Sequence, residues 1–595
     1  MARARHPRGA SGRSGNVSLL AFAILTLMPA SASAEDIAWQ AWDEAVFQRA
    51  EAEQRFVLLD LGAVWCHWCH VMEETTYKDP VVVRLVRERF LPIRVDQDLR
   101  PDLSNRYEDY GWPATVIFDA RGQELAKFSG YIAPPRMRSL LQGVIDDPTP
   151  GPSVRPESQR NVVPSDTALP ETLRRELAEL LVTRYDTEQG GWGFAKKFLD
   201  WDGVEWSLGR ARAGDREAER RALETLDRQT QLIDPVWGGV FQYSDGGVWE
   251  NPHFEKIMQF QAENLRVFSQ AYAQTHEPRY LQAARDIDRY LRSFLRDASG
   301  AFYVSQDADL VPGEHSADYF GLGDGERRRR GIPRVDTHLY ARETAWAAHA
   351  LVWFWAVSGD DSALADALAA ARWIVAERSS PDGGYRHDVQ DVGGPYMGDT
   401  VAAGRAFLSL YSATGKREWL TRAEEAVRFV GWRFRVDGVP GFVSAVATAR
   451  LAPKPQRDEN VLMARLSALL WHFTGRDEHL DRAGEAMRYL ASPDVARRFS
   501  SAAALLVDDD LRRAPLHVTI VGPRDDPRSR ELLRTALGHP DAFKRVELWD
   551  RRDGPLPRPD VDYPSPEAPT AFVCRDGRCS APLLTAVALS DRMSR

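Results

Sequence analysis

The sequence predicts a small α/β domain, then an all-α (α/α)6 toroid, then a short α/β appendage at the end of the chain. Up to about Asp146, short apolar runs alternate with stretches of helical period, the mark of an α/β unit. Between Asp147 and Pro164, five prolines stand in a stretch of little apolar content, which reads as a linker. From Ser165 to about Asp509 one hairpin pattern recurs, and recurrence at this scale signals a ring or stack of repeats. At 595 residues and 44% hydrophobic, the chain is long enough for at least two separately buried interiors.

The first 34 residues have a basic start, an apolar run from Val17 to Met28, and then Ala32-Ser33-Ala34, the small-residue pattern of a leader cleaved after Ala34. Export to the periplasm or cell envelope is therefore expected. The apolar run is short for a bilayer span, and no later run is long enough for one, so no stable membrane span is expected after cleavage. The leader carries four arginines and no acid, so its loss takes the net charge from −9 to −13. That balance excludes nucleic acid as a natural partner. The four cysteines fall as two close pairs, Cys66 with Cys69 and Cys574 with Cys579. An oxidising compartment admits disulfides for both, and zinc held by the four thiolates fits an exported chain poorly. The expectation is a chain with no cofactor and no metal.

Within the first domain, Phe56 to Gly62 (FVLLDLG), Phe90 to Val95 (FLPIRV) and Ala114 to Phe118 (ATVIF) read as strands. Ala41 to Ala52, His70 to Arg89 and Pro135 to Ile145 read as helices. Trp65-Cys66-His67-Trp68-Cys69 follows the first strand and opens a helix. A helix N-terminus favours negative charge, so the first thiol is expected to be an exposed, acidified nucleophile and Cys69 the resolving thiol. An imidazolium at His67 adds to that bias. Pro113, in Gly111-Trp112-Pro113, lies 44 residues after Cys69 and just before a strand, where a thioredoxin places the cis-proline facing its dithiol. Asp60 lies six residues before Cys66, the spacing at which thioredoxins keep a buried acid that accepts the resolving thiol's proton. The plain alternative for a CxxC pair is a structural disulfide or part of a metal site.

These residues resemble a thioredoxin. CHWCHVME, Arg94-Val95-Asp96, Arg100-Pro101-Asp102 and Gly111-Trp112-Pro113 further resemble the family of spermatogenesis-associated, thioredoxin-like proteins. The likeness continues through Trp249 to Lys256 (WENPHFEK), Asp307-Ala308-Asp309 and Val573 to Cys579 (VCRDGRC). It implies a thioredoxin-like domain of unknown function followed by a six-hairpin toroid similar to sugar epimerases and glycosidases. The chain departs from the family in a shorter stretch between Arg100 and Gly111, in Asp60 where a small residue is usual, and in its leader.

In the second domain a helix ends at a small turn and an amphipathic helix follows, at Gly214, His276, Gly359, Gly415 and Gly475. Glycine-aromatic loops such as Gly191-Trp192, Gly300-Ala301-Phe302 and Gly384-Tyr385 then lead to the next hairpin. Five hairpins are visible. A sixth is expected from flanking segments, including Leu169 to Tyr185 and Pro582 to Ser594. His253, Glu255, Lys256, Asp307, Asp309, Arg342 and Glu343 fall at loop-to-helix junctions, the positions that face the mouth of such a ring. Paired carboxylates and aromatics there suit acid-base work on a sugar, and a His with a Glu suits epimerisation. Ligand binding without chemistry and simple helix capping are the competing readings. Cys574 and Cys579 read as a structural disulfide, with exchange against the first pair as the alternative.

The domain boundaries are then a leader (1–34), a thioredoxin-like domain (35–147), a linker (148–164), a toroid (165–510) and a C-terminal region (511–595). The leading function is a thiol-disulfide oxidoreductase whose partners are other envelope proteins. A carbohydrate-active or sugar-binding toroid with a regulatory or docking thioredoxin-like domain is the second, and an envelope scaffold or chaperone the third.

Overall fold

The computed structural model describes residues 36–43, 45–108, 111–154, 167–446, 451–499, 501–575 and 578–594. The expected leader and most of the expected linker lie outside them. The first domain runs α1 (Val46–Glu53), β1 (Phe56–Gly62), α2 (His67–Thr75), α3 (Pro80–Arg89), β2 (Phe90–Asp96), α4 (Pro101–Tyr107), β3 (Ala114–Phe118), β4 (Glu124–Ser129) and α5 (Pro134–Asp146). Its strands stand in the order β2-β1-β3-β4, with β1 parallel to β2 and antiparallel to β3. The single helix expected over His70 to Arg89 is two. Asp79 is extended and caps Val81 and Val82, and Pro80 occupies the first turn of α3, where its missing N–H costs nothing. Helix α4 and strand β4 were not read from the sequence; both are short and only half apolar.

The ring is built from α6 (Glu171–Thr183), α7 (Trp201–Arg212), α8 (Arg216–Gln229), α9 (Met258–Thr275), α10 (Pro278–Tyr290), α11 (Ala341–Ser358), α12 (Asp361–Trp373), α13 (Met397–Thr414), α14 (Arg417–Arg433), α15 (Arg457–Thr474), α16 (Asp477–Leu490) and α17 (Ala502–Arg512). Helices α7, α9, α11, α13, α15 and α17 each pack on the next, and α17 returns to α7, closing an inner circle. The inner helices are apolar nearly all round, as α11 and α13 show. Outer helices such as α8 bury one stripe and solvate the rest. All five expected turns are left-handed, with φ from 57° at His276 to 94° at Gly214. The sixth pair corrects the expectation in part. Leu169 to Tyr185 does supply its outer helix α6, but the inner partner is α17, not Pro582 to Ser594, because α17 carries the apolar face that closes the circle.

The C-terminal unit runs β5 (Leu516–Val521), α18 (Pro527–Leu537), β6 (Lys544–Trp549), β7 (Thr570–Arg575), β8 (Arg578–Cys579) and α19 (Ala586–Met593), the last packed on α18 and β7. Its strand order is β6-β5-β7-β8, with β5 parallel to β6 and antiparallel to β7. Order and directions therefore repeat those of the first domain. The two units close opposite ends of the ring. The first domain meets the N-terminal ends of the inner helices, where Asn105 donates to Glu459 (3.1 Å) and Gln456 donates to Glu108 (2.9 Å). The C-terminal unit meets their C-terminal ends, where Gln270 donates to the Pro540 carbonyl (2.9 Å) and Tyr411 to Glu547 (3.0 Å).

Candidate functional site

Cys66 is the N-cap of α2, and its sulfur accepts from the Cys69 N–H at 3.2 Å. That places the pair where the helix end favours a thiolate. The two sulfurs are joined in a disulfide. The Trp112-Pro113 bond is cis, as expected, and Trp112 packs with Cys66 and Cys69. Exposure departs from the expectation. Cys66 is only 4% exposed, in a small apolar cluster with Ala63 and Trp65 against which Ile257 of the ring packs.

Asp60 is buried, and burial raises its carboxyl pKa against the pull of Arg94. Arg94 Nε and the Tyr77 hydroxyl each donate to it at 2.9 Å. Both oxygens are thus engaged, and Asp60 sits two residues before Gly62, which lies under Cys69. His67 turns toward the ring rather than toward the sulfurs, with Nδ1 2.7 Å from Asp309 Oδ1.

The seven ring candidates divide into three groups. Arg342 and Glu343 reach the axial chamber, held to each other at 2.6 and 2.9 Å. His253, Glu255, Asp307 and Asp309 do not line the chamber. Glu255 is buried with Oε1 at the His67 N–H (3.4 Å), and burial pushes its carboxyl up to about 7. Asp307 and Asp309 lie against His70, and His253 stacks on Tyr243 with ring centres 4.2 Å apart. Lys256 faces neither seam nor chamber. Its ammonium is buried on Asp234 Oδ2 (2.8 Å) and the Gly238 carbonyl (2.9 Å), among Tyr290 and Phe241, so it holds the wall together.

The chamber has a volume of about 380 Å³ and is bounded by both α/β units: Asp98, Asn105 and Trp112 at one end, Phe543 and Lys544 at the other. This is the size of a small-molecule site. A buried chain of ion pairs crosses its wall. Glu205 accepts from Arg266 and Arg465, each at 2.6 Å, Arg465 also holds Asp510 (2.7 Å), and Glu263 takes Arg266 (2.6 Å) and Arg405 (3.1 Å). Toward the first domain, burial pushes Asp202 and Glu459 up to about 8 and raises Asp98. Glu343 Oε2, Glu459 Oε2 and His349 Nε2 have no hydrogen-bond partner among the described residues. Asp98, Asp202, Glu205, His349, Arg405, Glu459 and Arg465 were missed in the sequence. Single charges inside apolar helix text, as in VAAGRAFLSL and AWAAHALVWF, were the available signal.

Fold and site together define a class: a thioredoxin-like domain seated on the mouth of a helical toroid. Residues 29–146 match the Thioredox_DsbH family, described as a protein of unknown function, DUF255. The chain is 28% identical over 309 residues to Spermatogenesis-associated protein 20 of Mus musculus and equally to that of Homo sapiens, covering 46% of this chain and 39% of each relative. It thus spans about two fifths of the length of the curated relatives it matches. The resemblance read from the motifs is borne out. Among solved structures, a D-mannose isomerase is similar at 11% identity and a TM-score of 0.46, over 59% of this chain and 99% of that one. A sugar epimerase from a ruminal bacterium is similar at 14% and 0.43, over 54% and 86%.

Proposed function

We propose that this chain is an exported thiol-disulfide oxidoreductase whose dithiol is held against the toroid and meets the disulfides of other envelope proteins when the first domain lifts. The observation that supports it is the Cys66-Cys69 pair at the start of α2, with Cys66 capping the helix beside a cis Pro113. In the reducing direction the Cys66 thiolate attacks one sulfur of a partner disulfide, and the partner's second sulfur leaves as a thiolate. Cys69, deprotonated, then attacks Cys66 Sγ, closes the internal disulfide and frees the partner dithiol. Two electrons pass to the partner, and two protons pass by way of solvent. The reverse sequence oxidises a partner.

Insulin reduction or scrambled-ribonuclease exchange by the purified mature chain tests this. Cys66→Ser should abolish exchange, and Cys69→Ser should leave a trapped mixed disulfide with envelope proteins. No exchange and no trapped species, even after Asn105→Ala loosens the seam, defeats the reading. Intact-mass measurement of the secreted chain tests export, with cleavage after Ala34 and a new N-terminus at Glu35 expected.

A second reading rests on the chamber. Unpartnered carboxyl oxygens on Glu343 and Glu459, beside Trp201 and Trp346, suit a polyhydroxylated ligand that donates to the acids and stacks on the rings. A glycan screen checks it, with Glu343→Gln and Glu459→Gln expected to remove any hit and Glu255→Gln, outside the chamber, to keep it.

A further inference from the structure

The seam between the first domain and the ring holds a cluster that neither the disulfide nor the chamber uses. His70, one residue past Cys69, points Nδ1 at two carboxylates of the loop after the short strand Ser305–Gln306. It lies 3.0 Å from Asp309 Oδ2 and 3.7 Å from Asp307 Oδ1. The three donor atoms all lie within 4.8 Å of one another. Donors sharing an ion at ~2.1 Å each stand roughly 3–4 Å apart, so the set needs little movement to close on one.

Once its Nδ1 proton is displaced, the imidazole presents a lone pair to the same space that the two carboxylates face. The carboxylates are themselves braced: Asp309 by His67 Nδ1 (2.7 Å) and the Gly313 N–H (2.8 Å), Asp307 by the Asp309 N–H (2.9 Å). Beside them Glu255 is 3% exposed, with Oε1 at the His67 N–H and Oε2 without a partner among the described residues. A buried acceptor with no protein donor is one that water held on a bound ion would satisfy.

We propose that His70, Asp307 and Asp309 bind one first-row divalent ion, Zn²⁺ or Mn²⁺, across the seam. One imidazole and two carboxylates suit Zn²⁺ through the imidazole and Mn²⁺ through the carboxylates, whereas calcium and magnesium prefer oxygen alone. Two ligands come from the ring and one from α2, so the ion clamps the two bodies beside the disulfide. The sequence reading expected no metal; a single His beside a CxxC pair gives no spacing signal when its co-ligands are more than 200 residues away. The proposal stands apart from thiol exchange.

Full-length protein, oxidised and stripped with a chelator, should take up one equivalent of Zn²⁺ or Mn²⁺ in calorimetry. Co²⁺ should give visible bands, and its binding should raise the thermal midpoint. His70→Ala and Asp307→Asn should each weaken uptake by 10-fold or more. The double variant Cys66→Ser, Cys69→Ser should keep it, which separates this site from thiolate ligation. Circular dichroism of each variant confirms that a loss is not unfolding. No stoichiometric uptake by the parent chain, uptake indifferent to His70→Ala, or uptake lost only with the cysteines would overturn the proposal.

Discussion

The two ends of the ring are closed by units of the same strand order, and they are joined to it differently. The first domain has interiors of its own, around Leu58, Met72 and Val86 on one face of its sheet and Leu59, Leu91 and Val116 on the other. Its contacts with the ring are largely polar, such as the His387 Nε2–H donated to the Asp98 carbonyl (2.6 Å) and Arg106 to the Ala452 carbonyl (2.9 Å). The C-terminal unit has Val518, Ile520, Leu532 and Val546 in the same interior as the ring helices. One unit is a lid and the other a floor. The cysteines follow the same division. In the lid they sit at the helix start after the first strand, the position that activates a thiol. In the floor the corresponding turn is Gly522-Pro523-Arg524, and the pair Cys574 and Cys579 has moved to the β7–β8 hairpin as bonded register partners. A shared topology thus carries no chemistry until the cysteines occupy the right corner of it.

The largest effect that tests this division comes from the cores. Leu532→Ala, in the interior shared by floor and ring, is expected to cost about 2–5 kcal/mol and to lower the unfolding midpoint of the ring itself. Leu58→Ala should cost as much but leave the ring transition in place. Denaturant unfolding with separate lid and ring probes checks both, and a Leu58→Ala chain whose two transitions fall together would merge the bodies.

The chamber's lid end gives the next effect. Burial pushes Glu459 up to about 8, whereas an unfolded Glu titrates near about 4.3. The folded chain keeps that proton while the unfolded chain releases it. Its stabilising contribution is therefore complete below about pH 4 and is lost as pH rises to about 8, a total of ~5 kcal/mol across the window. Glu459→Gln should flatten the stability curve over that range. An unchanged slope would mean that the acid is ionised in the folded chain.

Removing each cysteine pair sharpens the contrast further. Cys574→Ala with Cys579→Ala should cost about 2 kcal/mol and lower the ring midpoint, since that hairpin belongs to the floor. Cys66→Ala with Cys69→Ala should leave the ring midpoint alone in a thermal melt. The smallest effect concerns the seam: Asn105→Ala removes a bond worth ~1 kcal/mol and should speed alkylation of reduced Cys66 about fivefold. An unaltered rate would show that the lid does not open through this contact.

By itself the sequence determined the elements whose signals are local. Strand β1, with its run of apolar residues, and β3 begin and end where the text places them. The five left-handed turns follow from a short break between two helical periods, with glycine at four of them and His276 at the fifth, the helix start at Cys66 from its position after a strand, and the two cysteine pairs from their short spacing. Only the tertiary structure decided which distant residues meet. It packed Ile257 against the cluster that holds Cys66, brought Asp307 and Asp309 to His70, took Lys256 out of the site, and assembled the chamber from Asp98, Glu343, Glu459 and Lys544. It also paired α17 with α6. The physical reason is that backbone periodicity and turn chemistry act over a few residues. Burial of a thiol, the pairing of buried charges and the closing of a ring depend instead on surfaces contributed by segments hundreds of residues apart.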